Sequence, residues 1–333
     1  MLHPLSTEPV ARTAARRARP RPFGVLHLLC ALALLWLADP AMAQSMPVSA
    51  AAEWPWWVWS LALFVTCFFM GIVAVPAGIG GGTLFVPIVG SFFPFHLDFV
   101  RGAGLLVAMA SALAAAPMLL RSGLASIRLA LPLALLASIS SLAGALLGLA
   151  MPADLVQVAM GVIVLAIVAL MLLSRRAEFP VVQQPDAWGI ALRMHGIFVD
   201  GATGREVAWQ VHRTPQGLAA FLGIGFMAGV FGIGAGWANV PALNLLMGVP
   251  LKVAAGTSSL VLSMASTASW VYIVKGAVLP MIAVPSIVGT MLGAKLGAHL
   301  LHVLKASAIR RMVLTLLLFA GVRALLKGLG IWP

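Results

Sequence analysis

Charge is scarce in this chain. Only 9% of its 333 residues are Asp, Glu, Lys or Arg, where a water-facing domain uses about 25%. With 62% of residues hydrophobic, the solvent that fits the chain is lipid rather than water. Acidic residues are scarcer still. All nine carboxylates lie at or before Glu206, and none sits at the centre of an apolar run. That excludes the carboxylate relay used by many proton-coupled carriers and the paired aspartates of an intramembrane aspartyl protease. Cysteine is nearly absent. Cys30 and Cys67 form neither a disulfide framework nor a CxxC pair, and both read as small buried hydrophobes.

The net charge is +12, but the basic residues do not form a nucleic-acid patch. Five arginines crowd the N-terminal tail, and most others stand in short loops beside apolar runs, where they act as topology signals.

Five regions follow from composition. Residues 1–43 hold the basic tail, an apolar run from Phe23 to Ala38, and Ala41-Met42-Ala43. This order reads as a secretory signal, with an uncleaved first helix as the competing reading. Residues 44–56 lead into an interfacial belt formed by Trp54, Trp56, Trp57 and Trp59. A first membrane unit, 57–173, has apolar segments near 57–77, 83–95, 102–120, 129–150 and 155–173. A polar connector, 174–214, reads as a small cytoplasmic β-hairpin, with Ile190–Val199 and Arg205–His212 flanking a Gly-rich turn. A second unit, 215–333, repeats the order near 216–231, 237–249, 255–274, 279–300 and 309–326.

What the chain does have is one glycine-rich motif written twice, 154 residues apart. Gly78-Ile79-Gly80-Gly81-Gly82-Thr83, with Pro87 beyond it, recurs as Gly232-Ile233-Gly234-Ala235-Gly236-Trp237, with Asn239 and Pro241 beyond it. Downstream, Gly102-Ala103-Gly104 lies over Gly256-Thr257-Ser258, which Ser259 follows. Clustered glycines break a helix, and inside lipid a break is tolerated only where protein or a wet cavity satisfies the freed backbone groups. The segment after each break is too short to span and is expected to be a half-helix. Its N-terminus offers unpaired N–H groups and partial positive charge to an anion. The expected binding set is Gly78, Gly80, Gly81, Gly82, Thr83, Gly232, Gly234, Gly236, Asn239, Gly256, Thr257, Ser258 and Ser259. Pro87 and Pro241 are expected to kink or end the half-helices. Gly144, Gly148, Gly289, Gly293 and Gly297, spaced by four within each group, read as helix-packing positions. Ser111 and Ser266 fit packing and binding equally.

The expected fold is an all-α polytopic membrane protein. It has two homologous repeats of about four transmembrane helices each, with one Gly-broken half-helix per repeat. If each short segment carries the chain back across the membrane, the repeats are inverted. Arg121, Arg128, Arg175, Arg176, Arg213, Lys252, Lys305, Arg310 and Arg311 then share the cytoplasmic face, while Arg101, Lys275 and Lys327 lie outside. That distribution obeys the positive-inside rule. If the short segments do not cross, the repeats are parallel, and Arg121, Arg175 and Arg176 fall outside.

At these motifs the chain resembles the sulfite exporter TauE/SafE family, also called the toluene-sulfonate uptake permease family. The resemblance rests on Gly78–Pro87, on Gly232–Gly236 with Val240-Pro241, and on Pro250–Ser258. It also includes Lys275-Gly276, His195-Gly196 and Ala202–Glu206, and it covers about 57–327. It implies a bacterial inner-membrane permease or exporter for sulfur-containing or other organic anions, with about eight spans in two halves. The chain departs from the family pattern at Gly102-Ala103-Gly104, which lacks the Gly-Thr-Ser triplet, and at the bulky Trp237.

The resulting expectation is alternating-access transport of a small anion of the sulfite, sulfonate or sulfoacetate type, with no catalytic residue, metal or cofactor. The expected partners are membrane lipid and the anionic solute, not nucleic acid, and a homo-oligomer is compatible with this. Two alternatives stand beside it. One is a non-transporting membrane scaffold acting through the hairpin. The other is an intramembrane serine protease pairing Ser258 or Ser259 with His299 or His302, with Lys295 nearby snorkelling to the interface.

Overall fold

A computed structural model describes residues 55–77, 79–173, 182, 184–199, 206–300 and 306–330. The signal-like segment, the hairpin turn and Gly78 lie outside the described residues.

Helices dominate, as the apolar runs require. The first unit contains α1 (Trp56–Ala77), α2 (Gly81–Phe92), α3 (Leu97–Arg121), α4 (Ile127–Ala150) and α5 (Ala153–Leu173). The connector holds α6 (Ala187–Ala191), β1 (His195–Val199) and β2 (Glu206–Gln210). The second unit contains α7 (Thr214–Phe231), α8 (Gly236–Pro241), a π-helical stretch (Ala242–Leu246) and α9 (Leu251–Ala265). After a short 3₁₀ turn come α10 (Ser269–Val274), α11 (Pro280–Leu300) and α12 (Ala306–Gly328). Among the described residues, seven helical segments are long and apolar enough to cross a membrane. α12, 23 residues long, lies against α5 and carries Arg310, Arg311, Arg323 and Lys327. Leu131, Leu135, Ile139, Leu142 and Leu146 of α4 are all exposed, as a lipid-facing surface requires.

Two corrections apply to local structure. The strand expected over Ile190–Val199 does not begin at Ile190, which belongs to a short helix. Asp186 accepts from the Gly189 N–H and nucleates the short α6, so the hairpin starts only at His195. Pro87 does not end α2 but sits inside it, whereas Pro241 marks the change from α to π geometry.

The two units interlock. α11 packs along α1, and α4 along α7. Small residues permit this contact. A Cβ on Gly289, Gly293 or Gly297 would overlap or crowd the carbonyls of Phe64, Phe68 and Ile72 in turn, so α11 and α1 run parallel. Gly225 and Gly229 meet Ala137 and Ser141 in the same ascending order, making α7 and α4 parallel too. The packing reading of Gly144, Gly148, Gly289, Gly293 and Gly297 is borne out, because each abuts a neighbouring helix backbone.

The short segments reverse the chain. The Trp59 ring, in the first turn of α1, stands 6.0 Å from Phe93 and 6.2 Å from Phe95, just past α2. α2 therefore returns to the end from which α1 set out. In the second unit the His212 N–H, just before α7, donates to the Met247 carbonyl just past the π stretch at 3.2 Å.

Candidate functional site

The first break separates α1 from α2 at Ile79-Gly80. Gly80 adopts φ +73°, a region that side chains disfavour. α2 then starts at Gly81. Its N–H, one of the unpaired donors at a helix start, donates to Ser111 Oγ of α3 at 3.1 Å. Thr83 folds back one turn. Its hydroxyl donates to the Ile79 carbonyl at 2.7 Å, with the Ile233 carbonyl of the other break at 3.3 Å.

The second break spans Gly232 to Ala235. Gly232 caps α7 with φ +68°, and Gly234 has φ +69°, matching Gly80 in place and conformation. α8 follows for six residues only.

These two breaks touch. A Cβ on Gly236 would overlap the Ile79 carbonyl, and one on Gly82 would come within 2.6 Å of the Gly104 carbonyl and 3.3 Å of the Ile233 carbonyl. Gly104 in turn fits against the Gly232 carbonyl, which a Cβ there would approach to 2.7 Å. This explains one departure from the family pattern. The residue matching Ser258 must be glycine in the first unit, because position 104 is wedged between both interruptions.

Polar groups ring the first break without any charge. Thr290 of α11 turns its methyl group to Gly81, 2.7 Å from where a Cβ would lie, while its hydroxyl donates to the Ser286 carbonyl at 2.7 Å. Ser286, one turn earlier on the same face, is fully buried. Cys67 of α1 faces both. Beside the second break, Asn239 is fully buried. Neither its Oδ1 nor its Nδ2 finds a partner among the described residues. Native structures rarely leave such a group unpaired without a reason.

Charge stands one step away. Arg101 of α3 is fully buried with its backbone against Gly232. Its Nη1 donates to Asp98 at 2.8 Å and to the Gly148 carbonyl at 3.2 Å, and its Nη2 donates to the Val230 carbonyl. Tyr272 of α10 lies under the guanidinium, 5.4 Å from its ring centre, and donates to the Gly229 carbonyl at 2.9 Å. Arginine and tyrosine thus satisfy the free carbonyls at the C-terminus of α7, where positive charge complements the helix dipole.

Not every expected residue joins this centre. Thr257 accepts from the Ser126 N–H at 3.1 Å, and Gly256 packs on the Leu124 carbonyl, at the turn between α3 and α4. Its counterpart Gly102 packs on the Ala277 carbonyl at the turn before α11, so the two units grip each other reciprocally. Ser259 donates to the Ala255 carbonyl within its own helix. Ser258 is buried with its hydroxyl unpaired among the described residues. The side chains of His299 and His302 lie outside the described residues, and Lys295 is exposed on α11. Ser266 bonds only within its own turn of helix, to the Leu262 carbonyl, whereas Ser111 serves the break. Sequence reasoning missed Cys67, Ser286, Thr290 and Tyr272, and read Arg101 only as a loop charge. The Ser286–Thr290 spacing of four was a visible signal, but a common one in membrane helices.

The comparisons agree with this architecture. The sulfite exporter TauE/SafE family matches residues 63–324. One relative, described as "Probable membrane transporter protein YunE" from Bacillus subtilis (strain 168), is 31% identical over 119 residues. That match covers 35% of this chain and 44% of the relative. No solved structure matches. The chain is a multi-pass membrane protein, and it belongs to the sulfite exporter TauE/SafE family.

Proposed function

We propose that the protein is an inner-membrane permease for a small anion, which passes between the two helix breaks. The observation that carries this reading is Asn239. Its amide is buried, without a partner among the described residues, and lies one turn beyond the point where Gly236 meets Ile79. A buried amide that lacks partners costs about 1–3 kcal/mol, and a passing solute would supply them. Ser111, Ser286, Thr290 and Cys67 add polar groups without fixed charge near the first break, so the solute need not compete with a resident carboxylate, although in this closed arrangement Ser111 and Thr290 donate to the Ala108 and Ser286 carbonyls.

We further propose that the repeats are inverted. Each short segment brings the chain back to the end where its unit began. That reversal, seen at Trp59 with Phe93 and at His212 with Met247, is what supports inversion. Transport then follows by rocking one unit against the other, as in carriers with binding sites at broken helices. In the structure described here the breaks are closed on each other, so passage requires them to part. Sulfite, thiosulfate and sulfonates are the first solutes to test, since the family is described as a sulfite exporter.

The test is flux in proteoliposomes across that solute panel. Gly80→Leu and Gly234→Leu are expected to abolish transport while the protein still inserts, because both positions hold a positive φ and face Leu262. Wild-type flux in both variants would overturn the assignment.

A further inference from the structure

A depression of about 720 Å³ opens at the end of the bundle that holds the start of α3, the end of α4 and the turn after α10. His96, Asp98 and Lys275 supply its polar lining, and Phe99, Leu146 and Leu149 its apolar walls. We propose that this depression is a binding site for an oxyanion with an apolar body, placed at the mouth of the route to the breaks.

Three observations converge on it. First, Lys275 is exposed and has no carboxylate partner among the described residues. Second, the one carboxylate in the lining is already engaged, since Asp98 accepts from the buried Arg101 at 2.8 Å and lies 3.6 Å from His96 Nδ1. The uncommitted charge is therefore positive, and the first turn of α3 adds the partial positive end of a helix dipole. Third, the depression is one residue away from the second break. Arg101, beneath Asp98, packs its backbone on Gly232 of the second break and donates to the last carbonyls of α7. The volume and the mix of apolar wall with one or two polar anchors suit a small organic ligand.

The proposal rests on the solute being an anion, but its test needs no transport. Ala150 is exposed in the lining and accepts a cysteine without crowding. The Ala150→Cys protein in phosphatidylcholine nanodiscs is labelled with the anionic sulfonatoethyl and the cationic trimethylammonioethyl methanethiosulfonates, with the parent protein as blank. Relative to a free thiol, the anionic reagent is expected to react about fivefold or more faster than the cationic one, as nearby unscreened positive charge dictates. Lys275→Gln is expected to erase that preference. Benzenesulfonate is expected to slow labelling at lower concentration than methanesulfonate, and neutral benzyl alcohol to leave it unchanged. A ratio near unity, or one that Lys275→Gln leaves intact, overturns the proposal. So does failure of benzenesulfonate to slow labelling, and if phosphatidylglycerol then abolishes the preference the depression is a lipid phosphate site. Flux lost or kept in Gly234→Leu bears on the permease reading alone, so the two failures are distinguishable.

Discussion

At the first break the Gly81 N–H rests on Ser111, with Thr290 beside it and Ser286 and Cys67 next to Thr290. At the second, Arg101 and Tyr272 hold the carbonyls of Gly229 and Val230, and α8 lasts six residues before the helix widens into π geometry. The two sites began as the same motif. The first leads into a continuous 12-residue helix. The second ends its preceding helix in a clamp, one carbonyl held by Arg101 of the opposite unit and another by Tyr272 of its own. One motif thus stands in two settings, among hydroxyls at the first break and beside a buried guanidinium and the unpaired Asn239 amide at the second.

The largest break in this comparison should come from Gly236→Val. Its side chain would occupy the space of the Ile79 carbonyl, and backbone cannot move aside as a flexible side chain can. Loss of folded protein, read by size exclusion in detergent, is expected. Next comes Arg101→Ala. It leaves the buried α7 carbonyls without their donor and removes the partner of the part-exposed Asp98, and should destabilise by about 1.5–3 kcal/mol, the usual scale for hydrogen bonds to a charged group. Thermal unfolding in detergent reads this directly, and an unchanged midpoint would remove the clamp from the account. Asn239→Leu should act in the opposite sense on stability. Replacing an unpaired buried amide by an isosteric apolar group should stabilise by about 1–3 kcal/mol while lowering flux at least tenfold. If flux survives, the amide is structural. Ser111→Ala should be mildest. It removes the acceptor of one N–H, at about 1–2 kcal/mol, and should reduce flux without abolishing it.

Most of the helical framework was legible in the sequence, because lipid leaves few choices. Apolar length fixed the spans, and glycine clusters fixed the interruptions, since nothing else tolerates φ near +70° at Gly80 and Gly234. The glycine seams were legible from their spacing alone. The polar environment was not. Thr257 looked like a ligand because it followed a glycine in the aligned triplet, yet it caps the turn at Ser126. Thr290 and Ser286 reach the first break from more than two hundred residues downstream, and no local pattern announces a contact made across the opposite unit. Arg101 was read by its place at a segment end, where topology is the ordinary explanation. Its complete burial depends on Tyr272 and the end of α7 closing over it.

The interlock of α1 with α11 and of α4 with α7 has a consequence for biogenesis. When the first five helices leave the ribosome, α1 has no α11 and α4 has no α7, so two seams of tightly fitted small residues face the bilayer alone. Neither half carries its own partners, and the protein becomes a finished object only once the last third of the chain has been made and threaded back between helices synthesised long before it.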